Sequence, residues 1–477
     1  MNPKNTKQFF QLFQDIRFWI GLFFLVRLIG ITNPPLEEAH SWRQTTVTMV
    51  ARNFLEIDNN IFYPRIDIAG DKTGITGMEF PILNYLIYLM AKIFGYQHWY
   101  GRLINLIVSS FGIWYFYKLI KKYFDKKAAL YSGIILLSSL WFAYSRKIMP
   151  DTFSVSLMLA GIYYGTNYLD SKQNKKDITR LLLYAVLIMF GALAKLPAGY
   201  LLVLFLIPFL DKAISLKKKL WFTITSVIAL LPTFVWYFYW VPYLVEQYGF
   251  WHFFMGKGIT QGMVEIADNL LEASKKFYED AMKFIGFAMF IFGLIKAVAL
   301  KRKLLLQLFV LTFSAYLIIV FKGGYTFAYH SYYIIPFVPV MALFAGFGIS
   351  MINKQWLVNI FLAAIMLEGV LNQMHDFTIH KEKWSLLSLE NNLDKVSNRD
   401  DLIAINSGNN PTPLYFTHRK GWVKENAWLQ NSNHINDLKQ HGLKYIVILK
   451  KAFGSPFTLN YPIVFENKDY RIYKTQQ

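Results

Sequence analysis

The chain has 477 residues, 55% hydrophobic and 18% aromatic, and only 17% are charged, against about 25% in an average soluble protein. Apolar runs near the roughly 20 residues that a bilayer core demands recur through about the first 370 positions. The net charge of +20 sits largely in short lysine-rich loops between those runs, which marks a multi-span membrane protein and not a nucleic-acid binder; the absence of cysteine excludes disulfides, Cys–zinc sites and Cys nucleophiles.

Lys4, Lys7 and Arg17 precede the first apolar run, Phe18 to Ile31. No small-x-small cleavage site follows and Arg27 interrupts the run, so it reads as a retained first span, not a signal peptide. Basic clusters at Lys118 to Lys127, Lys172 to Arg180, Lys212 to Lys219, Lys296 to Lys303 and Lys354 are expected on the inner side. Eleven spans fit between them: 18–32, 99–120, 127–145, 150–169, 180–194, 196–211, 219–241, 283–299, 303–321, 332–351 and 355–372. The short run from Phe80 to Gly95 would invert every later cluster if it spanned. It is therefore expected to be a re-entrant or interfacial helix on the outer face. The outer loops are then 33–98, 146–149, the region around Lys195, 242–282, 322–331 and everything after about 373.

In the first outer loop, Pro34-Pro35 ends the span, and Trp42 to Glu56 reads as a helix with Ser41 as its N-cap. Val47, Val50, Ala51, Phe54 and Leu55 form its apolar face, with Gln44, Thr48 and Arg52 on another. The loop 242–282 carries GFWHFF and a helix expected from about Met263 to Lys283. Beyond about 373 the apolar runs shorten to strand length. LIAI (402–405), YIVIL (445–449) and YPIVF (461–465) read as strands, and Ile435 to Gln440 as a helix stopped at Gly442. The expected division is a transmembrane domain, 1–372, and a small soluble α/β domain, 373–477, on the outer face.

The polar residues of these outer segments are the candidates for chemistry. Glu37 and Glu38 are adjacent carboxylates; such a group can take the proton of an attacking hydroxyl, or it can be an ordinary solvated loop acid. His40, Arg43 and Gln44 could bind a phosphate or orient an acceptor, or anchor an interface. Arg65, Asp67 and Glu79 flank the outer-face helix and serve equally as salt-bridge partners. Asp151 follows Pro150 at the mouth of a span, where an acid is either functional or a complement to the helix dipole. Arg146 stands in the turn just before it. Lys195, in ALAKLPAGY, suits a lipid-linked phosphate or simply snorkels. His330, Tyr332 and Tyr333 in YHSYYIIPF could hold a phosphate together with Lys322, or belong to an aromatic belt. The chain has no P-loop, GxGxxG after a strand, HExxH or EF-hand pattern, so nucleotide hydrolysis is unsupported. A carboxylate pair could bind a divalent cation, but no complete ligand set is visible.

As a set, these residues resemble the GT-C-type membrane glycosyltransferases, a group that includes protein O-mannosyltransferases and lipid A aminoarabinose transferases. The acidic EEAHSWRQ after the first span carries the resemblance. With it, HSWRQ, ARNF, FYPRID, EFPILNYL, SRKIMPD, AKLP and HSYYIIPF follow the order of a bacterial family-39-like branch across about residues 15–350. The resemblance implies an outer-loop carboxylate base at Glu38 with Glu37 the adjacent acid, and a second acidic position at Asp151. It implies donor-phosphate contacts at Arg146, Lys195 and His330. The first acid of the pair is often aspartate in the family and is Glu37 here, so which acid is the base stays open.

The implied activity is transfer of a sugar from a polyprenyl-phosphate donor to a hydroxyl of a glycan, lipid or protein acceptor. It would proceed with inversion, at the extracytoplasmic face of the inner (plasma) membrane. No cofactor is implied with certainty. The competing readings are a transporter or flippase of lipid-linked sugars, a polysaccharide ligase or polymerase, and a membrane scaffold.

Overall fold

Helices stand at each of the eleven segments expected to span. The computed structural model describes residues 11–172, 175–250 and 256–476; Lys4, Lys7 and most of GFWHFF lie outside these. Among the described residues, five helices are long and apolar enough to cross a membrane: Tyr100–Tyr123, Asp177–Ala194, Leu216–Tyr248, Lys303–Gly323 and Gln355–Phe377. A sixth is reached if Leu270–Ala281 and Lys283–Ala299, bent by 94° at their junction, count as one span. The remaining segments are shorter or broken for visible reasons. Pro197 and Pro208 remove backbone donors, and 196–210 winds as a 3-10 helix, Leu196–Phe205, before one α-turn. Lys126–Ser138 stops where Ser138 and Ser139 turn their hydroxyls back onto its own carbonyls. Buried Gln373 then bonds the exposed ends: its amide donates to Ser138, Ser139 and Gly369 carbonyls and accepts from Ala143 N.

The chain forms two compact units. One comprises residues 1–31, 102–236 and 254–374; among its described residues there are helices and turns but no strand. The other joins 32–101, 237–253 and 375–477.

The second unit is built on a five-stranded sheet: β1 (Leu402–Ile405), β2 (Gly421–Val423), β3 (Leu443–Leu449), β4 (Ile463–Glu466) and β5 (Tyr470–Lys474). The order is β2-β1-β3-β5-β4, with β1 parallel to β2 and β3, and β5 antiparallel to β3 and β4. The expected strand at 461 begins only at Ile463, because Pro462 has no N–H; its carbonyl still accepts from Lys474 N at 2.9 Å. The segment after the first helix completes this core: Leu36 and Met49 pack with Leu386, Leu389, Ile405 and Ile472.

Two local expectations change. Helix Ser41–Glu56 begins at Ser41 itself, and His40 is the N-cap, in left-handed conformation (φ 60°) and without a side-chain capping bond. The hydroxyl expected to cap is already inside the first turn. The single helix expected over 263–283 is three pieces, Ile259–Asp268, Leu270–Lys275 and a π-turn Lys276–Ala281, broken where Asn269 leaves helical geometry. By contrast, Ile82–Phe94 is a 13-residue helix, about 20 Å long and short of a ~30 Å core.

Candidate active site

In the helical unit, the turn 144–149 is shaped from one polar side chain in an apolar span. Asn105, fully buried, donates to the carbonyls of Tyr144, Lys147 and Met149, and accepts from Thr152 and Ser109 hydroxyls. This fixes the start of helix Pro150–Leu169, with Pro150 in the first turn where its missing donor costs nothing. Asp151 follows, buried, at the positive end of that helix.

Lys195 ends helix Asp177–Ala194, and its extended backbone turns its side chain toward Asp151, Nζ to Oδ1 3.4 Å. Ser154 holds the approach by donating to the carbonyls of Gly191 and Lys195. The ammonium also lies 5.3 Å from the centre of the Tyr332 ring, within cation–π range. Tyr332 is stacked between His330 and Tyr333, at 5.3 and 4.8 Å. Asp151, Lys195, Tyr332 and Tyr333 line one small pocket closed by Pro197 and Pro336. Burial, then the nearby Lys276 ammonium, hold the His330 imidazole below its usual range.

The structure thus brings Asp151, Lys195 and Tyr332 together, with His330 behind the ring. Arg146 donates to the Ile29 and Gly30 carbonyls at 2.6 and 3.1 Å and is not among the residues lining this pocket.

In the second unit the two adjacent carboxylates have different surroundings. Glu37 is fully buried. The Glu38 side chain is half exposed; Lys383 donates to it at 2.5 Å and His380 Nε2 lies 3.3 Å away. The Lys383 ammonium holds the Glu38 carboxyl below the usual range, against the smaller effect of its burial. His40 is the helix cap described above, and Gln44 is fully buried on the first turn. Arg43 forms a buried ion pair with Glu79, and Arg65 a more exposed one with Asp58 at 2.9 Å.

Sequence reasoning missed the network at the centre of this unit. Arg52 pairs with Asp67 at 2.7 Å, donates to the Tyr415 carbonyl at 3.1 Å and lies 4.6 Å from the Tyr415 ring centre. Asn53 donates to the other Asp67 oxygen, and Tyr96 and His98 meet at the Tyr415 hydroxyl. The available signals were the charge of Arg52 on a face with Gln44 and Thr48, and Asp67 as a salt-bridge candidate whose partner the sequence does not name. Asn105 carried a clearer one, an amide inside an apolar span. Among the described residues, no group of three or more His, Asp or Glu side chains is placed to hold a metal ion.

Residues 78–240 match the profile of a family described as dolichyl-phosphate-mannose-protein mannosyltransferase. Among curated proteins, no sequence matches the chain. Among solved structures, the fold is similar to ArnT from Cupriavidus metallidurans in the apo state, with a TM-score of 0.58 at 12% identity over 96% of this chain and 97% of that one. The same protein bound to undecaprenyl phosphate matches with a TM-score of 0.58 at 10% identity, over 96% and 98%. The apo oligosaccharyltransferase of Archaeoglobus fulgidus matches with a TM-score of 0.55 at 12% identity, over 90% and 69%. In its profile over 78–240 and in its fold over nearly its whole length, the chain resembles the GT-C-type membrane glycosyltransferases.

Proposed function

We propose that this protein is an integral membrane glycosyltransferase that moves a sugar from a polyprenyl-phosphate donor to an acceptor hydroxyl on the extracytoplasmic face of the inner membrane, with inversion. The observation that carries the reading is Lys195, a cation held against Asp151 and the Tyr332 ring in a pocket of a fold shared with a protein bound to undecaprenyl phosphate.

In the proposed reaction the acceptor oxygen attacks the anomeric carbon from the face opposite the phosphate. The new C–O bond forms as the sugar–phosphate bond breaks, and its electron pair leaves on the lipid phosphate. Charge grows most on that phosphate, so a preorganised ammonium there lowers the barrier; loss of one such donor typically costs ~10²–10³ in rate. Lys195 is assigned this role. Asp151 and Tyr332 position it, since the carboxylate and the ring restrict where the ammonium can swing. The acceptor proton goes to a carboxylate of the Glu37–Glu38 pair. Either acid of the pair can take it: Glu37 is buried, and Glu38 is half exposed beside Lys383. The acceptor is a glycan, lipid or protein hydroxyl.

The test is transfer by purified protein from a panel of labelled polyprenyl-phosphate sugars to cell-envelope extract, with Lys195→Gln alongside. Transfer by the wild type and its loss in the variant supports the reading. Lipid-linked sugar that crosses proteoliposome membranes without being transferred would replace it with transport.

A further inference from the structure

A second concave site lies in the helical unit, away from the residues assigned above. It is a pocket of about 390 Å³, within the ~300–1,000 Å³ of small-ligand sites. Its walls carry three cations, Arg17, Lys121 and Lys126, one acid, Asp15, and the aromatic pair Trp114 and Tyr117. Asp15 caps helix Ile16–Leu28 and accepts from the Arg17 guanidinium at 2.5 Å, so its charge is already engaged. Among the described residues neither Lys121 nor Lys126 forms an ion pair. The pocket therefore has an excess of positive charge.

The helix that forms its back wall shows what kind of anion fits. On Tyr100–Tyr123, Ile107, Phe111, Trp114, Lys118 and Lys121 recur at steps of four and three, which places them on one face. Along that face the chemistry changes in order. Ile107 and Phe111 are exposed apolar side chains. Trp114 follows, stacked with Tyr117 at 5.9 Å, with the Lys118 ammonium 5.2 Å from its ring. Lys121 comes last, 6.0 Å from the Tyr117 ring centre. Phe111 to Lys121 is about 15 Å of helix, half of a ~30 Å hydrocarbon core. Apolar rows, an aromatic step and then ammonium groups match one leaflet of a phospholipid: acyl chain, interface and phosphate.

We infer that this pocket binds the headgroup of an anionic phospholipid, its phosphodiester between Lys121, Lys126 and Arg17 and its acyl chains along Ile107 and Phe111. A free phosphate would use the cations but not the apolar rows. The inference is independent of the sugar-transfer reading.

The test uses the full chain purified in neutral detergent. Retained lipid is counted by native mass spectrometry and thermal midpoints are read with phosphatidylglycerol, phosphatidylcholine or inorganic phosphate added. Wild type should retain phosphatidylglycerol at least tenfold over phosphatidylcholine and melt several degrees higher with it. Lys121→Gln/Lys126→Gln should lose that preference while melting like wild type without lipid. Lys212→Gln/Lys217→Gln, in another basic turn, should keep it. If the first double variant melts early even without lipid, the exposed single change Lys121→Glu is used, and it must weaken phosphatidylglycerol retention alone. Equal retention by the pocket variants, or an equal shift from inorganic phosphate, overturns the inference.

Discussion

Lys195 Nζ stands 3.4 Å from Asp151 Oδ1 and 5.3 Å from the centre of the Tyr332 ring. The carboxylate and the ring restrict where the ammonium can swing. Lys195→Gln keeps a polar side chain, one atom shorter, and removes the charge. Transfer should fall by about 10²–10³-fold in kcat, with little change in thermal midpoint, if the ammonium meets charge that grows in the transition state. Asp151→Asn should cost less, because it loosens the lysine without removing it. The measurement is steady-state transfer with a fixed donor, and equal rates for wild type and Lys195→Gln would remove Lys195 from the mechanism.

The carboxylate pair separates cleanly by substitution. Gln at the acid that serves as base should lower kcat by about 10²–10⁴-fold, the usual worth of a general base. Gln at the other acid should retain activity within about tenfold of wild type. Wild-type rates in both Glu37→Gln and Glu38→Gln would remove the pair from the mechanism.

His418 predicts a pH optimum for the stability of the sheet-bearing unit. Its ring bridges Glu390 through Nδ1 at 2.8 Å and Glu56 through Nε2 at 2.7 Å. Burial disfavours the imidazolium, but the two carboxylates outweigh it and raise the pKa above 6.5. The His418 bond, opposed by burial and helped by Arg399, holds Glu390 down at about 2, from an ordinary 4.5. A raised histidine stabilises fully below 6.5 and loses its contribution as pH rises through its folded value. A lowered glutamate stabilises fully above 4.5 and loses its contribution as pH falls toward 2. The clamp is therefore complete between about pH 4.5 and 6.5. In a melt series across pH, His418→Gln should lower the midpoint most inside that window, by about 2–4 °C per kcal/mol lost for a domain of this size. A uniform loss at all pH values would refute the clamp.

Arg52 and Asp67 are both nearly closed to solvent. Asp67→Ala leaves a buried guanidinium without its carboxylate and should destabilise by about 3–5 kcal/mol. Arg52→Met/Asp67→Leu, which removes both charges, should recover a large part of that loss. Denaturant or thermal unfolding followed by tryptophan emission reads both, and additive single effects would show the pair is not coupled.

Much of this architecture was legible from run length alone. The eleven apolar segments each hold helix, because lipid leaves the backbone few alternatives. β1 and β3 were readable because LIAI and YIVIL are short, β-branched and apolar. β2 is three residues beginning with a glycine, and β5 interleaves Arg471 and Lys474 with its buried residues, so neither presents a clear pattern. At the site, Asp151 and Lys195 were visible as charges where apolar residues were due. Their meeting was not, since it depends on helix 150–169 lying beside helix 177–194. The Arg52–Asp67–Tyr415 network was hidden for the same reason: Tyr415 belongs to a segment 363 residues away from Arg52.

Leu36 and Met49 find their cover in Leu386, Leu389 and the sheet, which are encoded far downstream of them. During translation the loop after the first apolar run is therefore made early and finished late. Until β5 leaves the ribosome, Leu36, Met49 and Arg52 lack the partners that cover them, and the loop must wait in a partly open state. A nascent chain arrested near residue 374 should insert its helices normally yet present this loop to proteases. A quality-control system would then recognise chains stalled before the sheet by the exposure of this loop.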